Sequence, residues 1–290
     1  MARLMDKVID FCFFGPWSLL FKVLDTIVPN HPSTVLFGSN HGSHYSDNSR
    51  ALFEYFVERG EGCPIWVTRS NKVFREIDSR FPGHVVRSFS LRGLIAYLRA
   101  SQIVVSHSYL DMCLFPYSRS KKVNYLWHGV PIRRIGNMIE RGESRATDRI
   151  LQHWSRWNRR VDCFFASSDY EAEIMQTAFG IEGMRVEVLG YPRNDSIQGK
   201  GKEIANEEAE KVILYAPTYR LTEDGDREEE IPLLHPSMGE DELHDFLSSR
   251  NARVIFRPHP SLGEINFSSD RIECITVEKE PNLSSLFLKS

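Results

Sequence analysis

The sequence predicts an α/β architecture in two halves, each with a mostly parallel sheet, and three observations carry that prediction. Short apolar runs alternate with helical stretches along the chain, the pattern of βαβ units. A charged and polar stretch at residues 198–211 separates two regions that each show the alternation. An unusual ending also recurs, in which an apolar strand runs into proline with histidine, a hydroxyl or arginine beside it. It occurs at Trp127-His128-Gly129-Val130-Pro131, at Tyr215-Ala216-Pro217-Thr218-Tyr219-Arg220 and at Phe256-Arg257-Pro258-His259-Pro260. The 290 residues, 41% of them hydrophobic, are enough for two substantial cores.

Bulk properties exclude several function classes. A formal net charge of -3 gives no global attraction to nucleic acid, so no nucleic-acid partner is expected and any phosphate binding must be local. The Arg- and Trp-rich residues 147–161 have the composition of a nucleic-acid surface, but at helical spacing Ile150, Trp154 and Trp157 are expected to pack inward. Five cysteines lie far apart without a C-x-x-C pair, which argues against a zinc site and a disulfide scaffold and for a reducing compartment.

At the N-terminus, residues 11–21 are apolar and rich in aromatics (Phe11, Phe13, Phe14, Trp17, Phe21) but broken by Gly15-Pro16. The run is too short to span a bilayer, which takes roughly 20 residues, and it lacks a cleavage site. Two readings stay open: an interfacial segment that sinks its rings among lipid headgroups, or a helix packed on the protein's own core.

In the first half, Thr34 to Phe37 reads as a buried strand opening into a polar loop through His41, Ser43, His44 and Tyr45, after which Asp47 or Asn48 caps a helix bearing Leu52, Phe53 and Phe56. The loop has no G-x-G-x-x-G or G-K-[ST] motif, so neither a dinucleotide fingerprint nor a P-loop is supported. Further strands are expected at residues 65–68, 85–86, 103–105, 164–166 and 186–189, with helices near 73–81, 91–100 and 170–179. Ser168 reads as the N-cap and Gly180 as the C-terminal stop of the last of these. Ser106-His107-Ser108 brings another polar cluster to the strand ends.

The stretch from Val123 to Gly136 organises this half. Its apolar run stops at His128, where α/β proteins place chemistry, and Gly129 permits a sharp turn and close approach of a ligand. Arg133 and Arg134 follow as potential phosphate partners. In the second half, strands at 212–215 and 254–256 deliver Arg257 and His259, and a helix is expected at 240–249. The nearly all-charged residues 222–230 read as a mobile loop. Two strand-end histidines beside arginine and proline fit a ligand held in a cleft between the halves. One histidine would take a proton from an attacking hydroxyl, and the other, with Arg257, would stabilise charge on a departing phosphate. No dense carboxylate cluster points to bound magnesium, so transfer without metal or cofactor is expected.

Taken in order, Phe37-Gly38-Ser39 with Tyr45-Ser46-Asp47-Asn48, Trp127-His128-Gly129-Val130-Pro131, Gly190-Tyr191-Pro192-Arg193-Asn194-Asp195, Tyr215-Ala216-Pro217-Thr218-Tyr219-Arg220 and Arg257-Pro258-His259-Pro260 resemble the CDP-glycerol glycerophosphotransferases. These enzymes build the poly(glycerol phosphate) chains of teichoic acids and related cell-surface polymers. The resemblance runs from about Val35 onward. It implies a GT-B-like fold: a membrane-associating segment at 1–30, a Rossmann-like acceptor-side domain at 31–197 and a Rossmann-like donor-side domain at 198–290. It further implies transfer of glycerol phosphate from CDP-glycerol to a hydroxyl of a lipid-linked glycerol phosphate acceptor, at the cytoplasmic face of a bacterial plasma membrane to which the protein attaches peripherally. Self-association into a homo-oligomer is left open.

On the same carry-over His128 is the base, His259 and Arg257 engage the pyrophosphate, and Thr218 and Arg193 contact the donor; the reading of the residues themselves adds Gly129, His41 and Tyr45 at the substrate edge. Family members continue past a segment like residues 283–290 into a strand, an Asp-Tyr-Ser-Ser motif and closing helices, so the second domain is expected to be incomplete; Ser284-Ser285 lacks the preceding Asp-Tyr. Two alternatives stand beside this reading: a GT-B transferase using CDP-ribitol or a nucleotide sugar, and a non-catalytic membrane-associated relative.

Overall fold

The computed structural model describes residues 15–108, 110–113, 120–132, 134–138, 157–195, 210–217, 239–258, 265–276, 279–280 and 286. The chain divides into two compact units, Met1–Arg193 and Asn194–Ser290. The first unit runs α1 (Pro16–Ile27), β1 (His31–Gly38), α2 (Asp47–Arg59), β2 (Cys63–Thr68), α3 (Asn71–Arg80), β3 (Val85–Arg87), α4 (Leu91–Arg99), β4 (Ala100–Val105), β5 (Lys122–Tyr125), β6 (Cys163–Ala166), α5 (Asp169–Phe179) and β7 (Val186–Val188). All seven strands are parallel, in the order β3-β2-β1-β4-β5-β6-β7. The order reverses between β1 and β4, which is the switch point where open α/β sheets bind ligands.

Alternation along the buried strands builds two apolar layers. Leu36 of β1, Ile103 and Val105 of β4, and Val123 and Tyr125 of β5 face the core shared with Phe21 of α1, Tyr97 of α4 and Phe179 of α5. Val35 and Phe37 of β1 and Val104 of β4 face the opposite core, with Phe53 of α2 and Val73 and Ile77 of α3. Period-two side chains on a sheet covered on both faces produce this three-layer arrangement. The expected caps form at α5, where Ser168 Oγ accepts the Glu171 N–H at 3.2 Å and Gly180 takes a left-handed φ of 61°. Ser70 and Ser90 cap α3 and α4 in the same way. Gly93 is required for α4 to close on β3, since a Cβ there would sit 2.2 Å from the Arg87 carbonyl oxygen.

The N-terminal helix packs one face on the protein's own core, the second of the two readings of its segment, and leaves another face exposed. Phe21 is buried against Tyr97, with Trp17 and Leu24 packed beside it on the core, while Leu19, Leu20, Val23 and Ile27 are exposed. Of the candidate aromatics, Trp17 and Phe21 therefore face inward, and an aliphatic face looks out. Phe11, Phe13 and Phe14 lie outside the described residues. A buried Lys121 fastens the helix: its Nζ lies 3.1 Å from Asp25 Oδ1 and donates to the carbonyls of Leu98 (3.1 Å) and Ala100 (3.2 Å).

The second unit contains β8 (Lys211–Tyr215), α6 (Glu240–Ser249), β9 (Ala252–Phe256) and β10 (Ile272–Cys274), and its described strands form a parallel sheet in the order β10-β9-β8. Leu247, Val254, Phe256 and Ile272 centre one of its cores. Strand β10, only three residues long, was not anticipated from the sequence. Residues 222–230, Ile150, Trp154 and Ser284-Ser285 lie outside the described residues; Trp157 is buried, as its spacing implied.

Candidate active site

At the switch point the loops after β1 and β4 are tied by one carboxylate. Asp111 is fully buried; its Oδ1 accepts the His41 N–H at 2.9 Å, and its Oδ2 accepts the N–H groups of Ser106 (3.0 Å) and His107 (2.7 Å). Asn40 and His41 take left-handed φ values of 48° and 57° to make this turn. Outside glycine such conformations persist only where surrounding bonds hold them, and the Asp111 bond is one of these.

The next strand brings His128 to the same edge. Strand β5 ends at Tyr125, earlier than the apolar run suggested, because Trp127 turns to a φ of 57° and drops the chain out of the ladder. His128 Nδ1 then lies 3.1 Å from the Ser106 carbonyl oxygen. A carbonyl only accepts, so Nδ1 carries the proton and Nε2 carries the lone pair. Burial lowers the His128 pKa, and so does the nearby His107; the Ser106 bond and the carboxylates of Asp47 and Asp111 oppose the shift without cancelling it. The ring is therefore neutral at pH 7 and equipped to accept a proton at Nε2.

Asp47 begins α2, yet it is no ordinary cap. Its φ is 68°, and its Oδ1 lies 2.8 Å from Arg193 Nη1. The same Nη1 donates to the His128 carbonyl at 2.9 Å, and the Arg193 main-chain N–H to Asn48 Oδ1 at 3.3 Å. Buried Asn48 in turn donates through Nδ2 to the Trp127 carbonyl at 2.9 Å. Gly129, with a φ of 146°, leaves room for this guanidinium, since a Cβ there would lie 3.2 Å from Arg193 Nη2. Close approach at Gly129 is thus made by Arg193 itself. A cation and a neutral imidazole share one rim, held by second-layer carboxylate and amide groups, with the exposed side chains of Val130 and Ile132 alongside.

The structure brings His128, Gly129 and Arg193 together, and His41 stands on the adjoining loop. Tyr45 is not with them. It is buried between Phe53 and Trp66 and donates its hydroxyl to Glu54 Oε1 at 2.9 Å, so its role in the described structure is packing. Arg257 directly follows β9 in the second unit and is buried, with Nη1 donating to the carbonyls of Ile275 (3.2 Å) and Thr276 (2.5 Å), which braces the chain leaving β10. Thr218, His259 and Arg133 lie outside the described residues. Sequence reasoning undervalued Asp47 and Asn48, which it read as helix caps, and His107, which it read only as part of a polar cluster. The available signal was that His107 follows β4 just as His128 follows β5.

A family model described as CDP-glycerol:poly(glycerophosphate) glycerophosphotransferase matches residues 20–290. The teichoic acid glycerol-phosphate transferase of Staphylococcus aureus is 28% identical over 230 residues, covering 74% of this chain and 56% of that protein. A teichoic acid poly(glycerol phosphate) polymerase of Bacillus spizizenii is 29% identical over 227 residues, covering 70% and 54% respectively. The chain thus spans about half the length of these curated relatives. Among solved structures, the wall teichoic acid polymerase TagF matches with a TM-score of 0.70 at 23% identity, over 93% of this chain and 67% of that one. A variant of TagF soaked with CDPG matches with a TM-score of 0.73 at 23% identity and the same coverage. This likeness shows the fold, which is GT-B-like as expected. With the family model covering nearly the whole chain, the protein belongs to the CDP-glycerol:poly(glycerophosphate) glycerophosphotransferase family.

Proposed function

We propose that the chain transfers glycerol phosphate from CDP-glycerol to a hydroxyl of a membrane-linked acceptor in the synthesis of teichoic acid or a related surface polymer, releasing CMP. The observation that carries this reading is the protonation geometry of His128, whose Nδ1–H is held by the Ser106 carbonyl so that Nε2 is the basic atom. The acceptor oxygen attacks the phosphorus that bears the glycerol, and a P–O bond forms. The P–O bond to CMP breaks with its electron pair leaving on CMP, and the hydroxyl proton passes to Nε2. A positioned base of this kind contributes roughly 10²–10⁴-fold.

Arg193, fixed by Asp47 and the His128 carbonyl, supplies charge for the phosphoryl oxygens. The motifs of the second unit assign His259 and Thr218 to the donor's pyrophosphate, while Arg257, bonded to the Ile275 and Thr276 carbonyls, braces that unit. The CDPG soaked into TagF and the transferase and polymerase activities named for the relatives support the donor and the reaction class. Among the described residues no helix is long and apolar enough to cross a membrane. The outward face of α1 is assigned to peripheral contact with the bilayer that holds the acceptor.

The test is CMP release from CDP-glycerol in the presence of a lipid-linked glycerol phosphate acceptor. His128→Ala is expected to lower turnover by about 100-fold or more, with far-UV circular dichroism and melting temperature retained. Turnover equal to wild type would remove His128 from the role of base.

A further inference from the structure

A second imidazole lies flat against His128. The rings of His107 and His128 are parallel, with centroids 4.7 Å apart. His107 is clamped at every polar atom. Its Nδ1 accepts from the Asn40 main-chain N–H at 3.3 Å and stands 3.3 Å from Ser39 Oγ. Its Nε2 lies 3.5 Å from Asp47 Oδ2, its N–H donates to Asp111, and its carbonyl accepts from the Tyr125 hydroxyl at 2.8 Å.

An amide N–H only donates, so Nδ1 of His107 is bare and its proton sits on Nε2, facing Asp47. A ring held in this way is well suited to act as a wall. The charged and titratable groups around the pair are Asp47 at the start of α2, Asp111 on the loop after β4, Arg193 bonded to Asp47 and to the His128 carbonyl, and His41 on the loop after β1.

We propose that His107 is the positioning residue of His128: its clamped ring sets the plane of the His128 imidazole and shields one of its faces from water. This rests on the reading of His128 as the base. The Asp47 carboxylate then serves two clients, Arg193 through Oδ1 and His107 through Oδ2, and couples the cation to the base through one side chain.

The experiment follows the His128 Cε1–H resonance through a pH titration by NMR, assigned by its absence in His128→Ala, together with kcat and KM for CMP release. Wild type is compared with His107→Ala and His107→Phe. In His107→Ala the His128 midpoint is expected to rise toward the ordinary histidine value, and kcat to fall about tenfold with KM for the donor within about twofold. His107→Phe restores a flat ring without the polar handles and is expected to recover the low midpoint and most of the lost kcat. His107→Asn keeps an acceptor for Asn40, which guards the loop against collapse, but has no ring and is expected to behave as His107→Ala.

A His128 midpoint that stays put in both ringless variants, or that moves as far in His107→Phe, overturns the proposal. A midpoint that follows the ring while His128→Ala still turns over would overturn the base reading and leave the hold of His107 on His128 supported.

Discussion

At the scale of the residue, the bond between His128 Nδ1 and the Ser106 carbonyl determines which nitrogen is basic, and the environment determines over what pH range it stays so. Burial and His107 push the His128 pKa down against the pull of Asp47 and Asp111. The neutral form therefore persists to a lower pH than in free histidine, whose value is about 6.5. A reaction that needs neutral His128 loses rate only as pH falls through the lowered value and is flat above it until another group titrates. The acid limb of kcat/KM for CMP release is accordingly expected to have its midpoint below about 6.5, and a midpoint above that would contradict the electrostatics described for the ring. His128 was legible in the sequence because a strand-end histidine before glycine and proline is a local pattern. Asp47 and Asn48 were visible as cap-forming types and as part of a family motif but not as site residues, since their partners, Arg193 and the Trp127 carbonyl, are distant in the chain and meet them only through the fold.

At the scale of the element, α1 has one packed face and one exposed apolar face. Its Phe21 face is fixed by Tyr97 and by the Asp25–Lys121 pair. Its Leu19, Leu20, Val23 and Ile27 face has apolar area to bury elsewhere. Interfacial binding scales with buried apolar area, and Asp25 and Lys22 leave little net charge to assist it. The double substitution Leu20→Glu with Val23→Glu is expected to reduce sedimentation with vesicles by about tenfold or more, while CMP release toward a detergent-dispersed acceptor stays near wild type. Vesicle binding unchanged by the two charges would place the membrane contact elsewhere. The amphipathic character was readable from the sequence, but which face packs was not. Aromatic side chains suit a lipid interface and a protein core equally, and only the position of Tyr97 and Lys121 resolves the choice.

At the scale of the whole molecule, the two units carry separate cores and separate sheets. The five tryptophans, at positions 17, 66, 127, 154 and 157, all precede Arg193, so their fluorescence reports the first unit, whereas far-UV circular dichroism reports both. Urea unfolding followed by the two signals is expected to give curves that do not superimpose, the dichroism showing an additional transition from the second unit. Superimposable curves would mean that the units unfold as one.

The sequence by itself determined the alternation of strands and helices, the parallel sheets, the strand-end placement of His128 and Arg257, and the family. These follow from short-range periodicity and from residue types whose backbone preferences act within a few positions. The tertiary structure alone decided the reversal of strand order between β1 and β4, the burial of Tyr45 away from the site, the sharing of Asp47 between Arg193 and His107, and the stacking of His107 on His128. Each of these depends on which strands become neighbours, and strand pairing joins residues tens of positions apart that no local pattern relates.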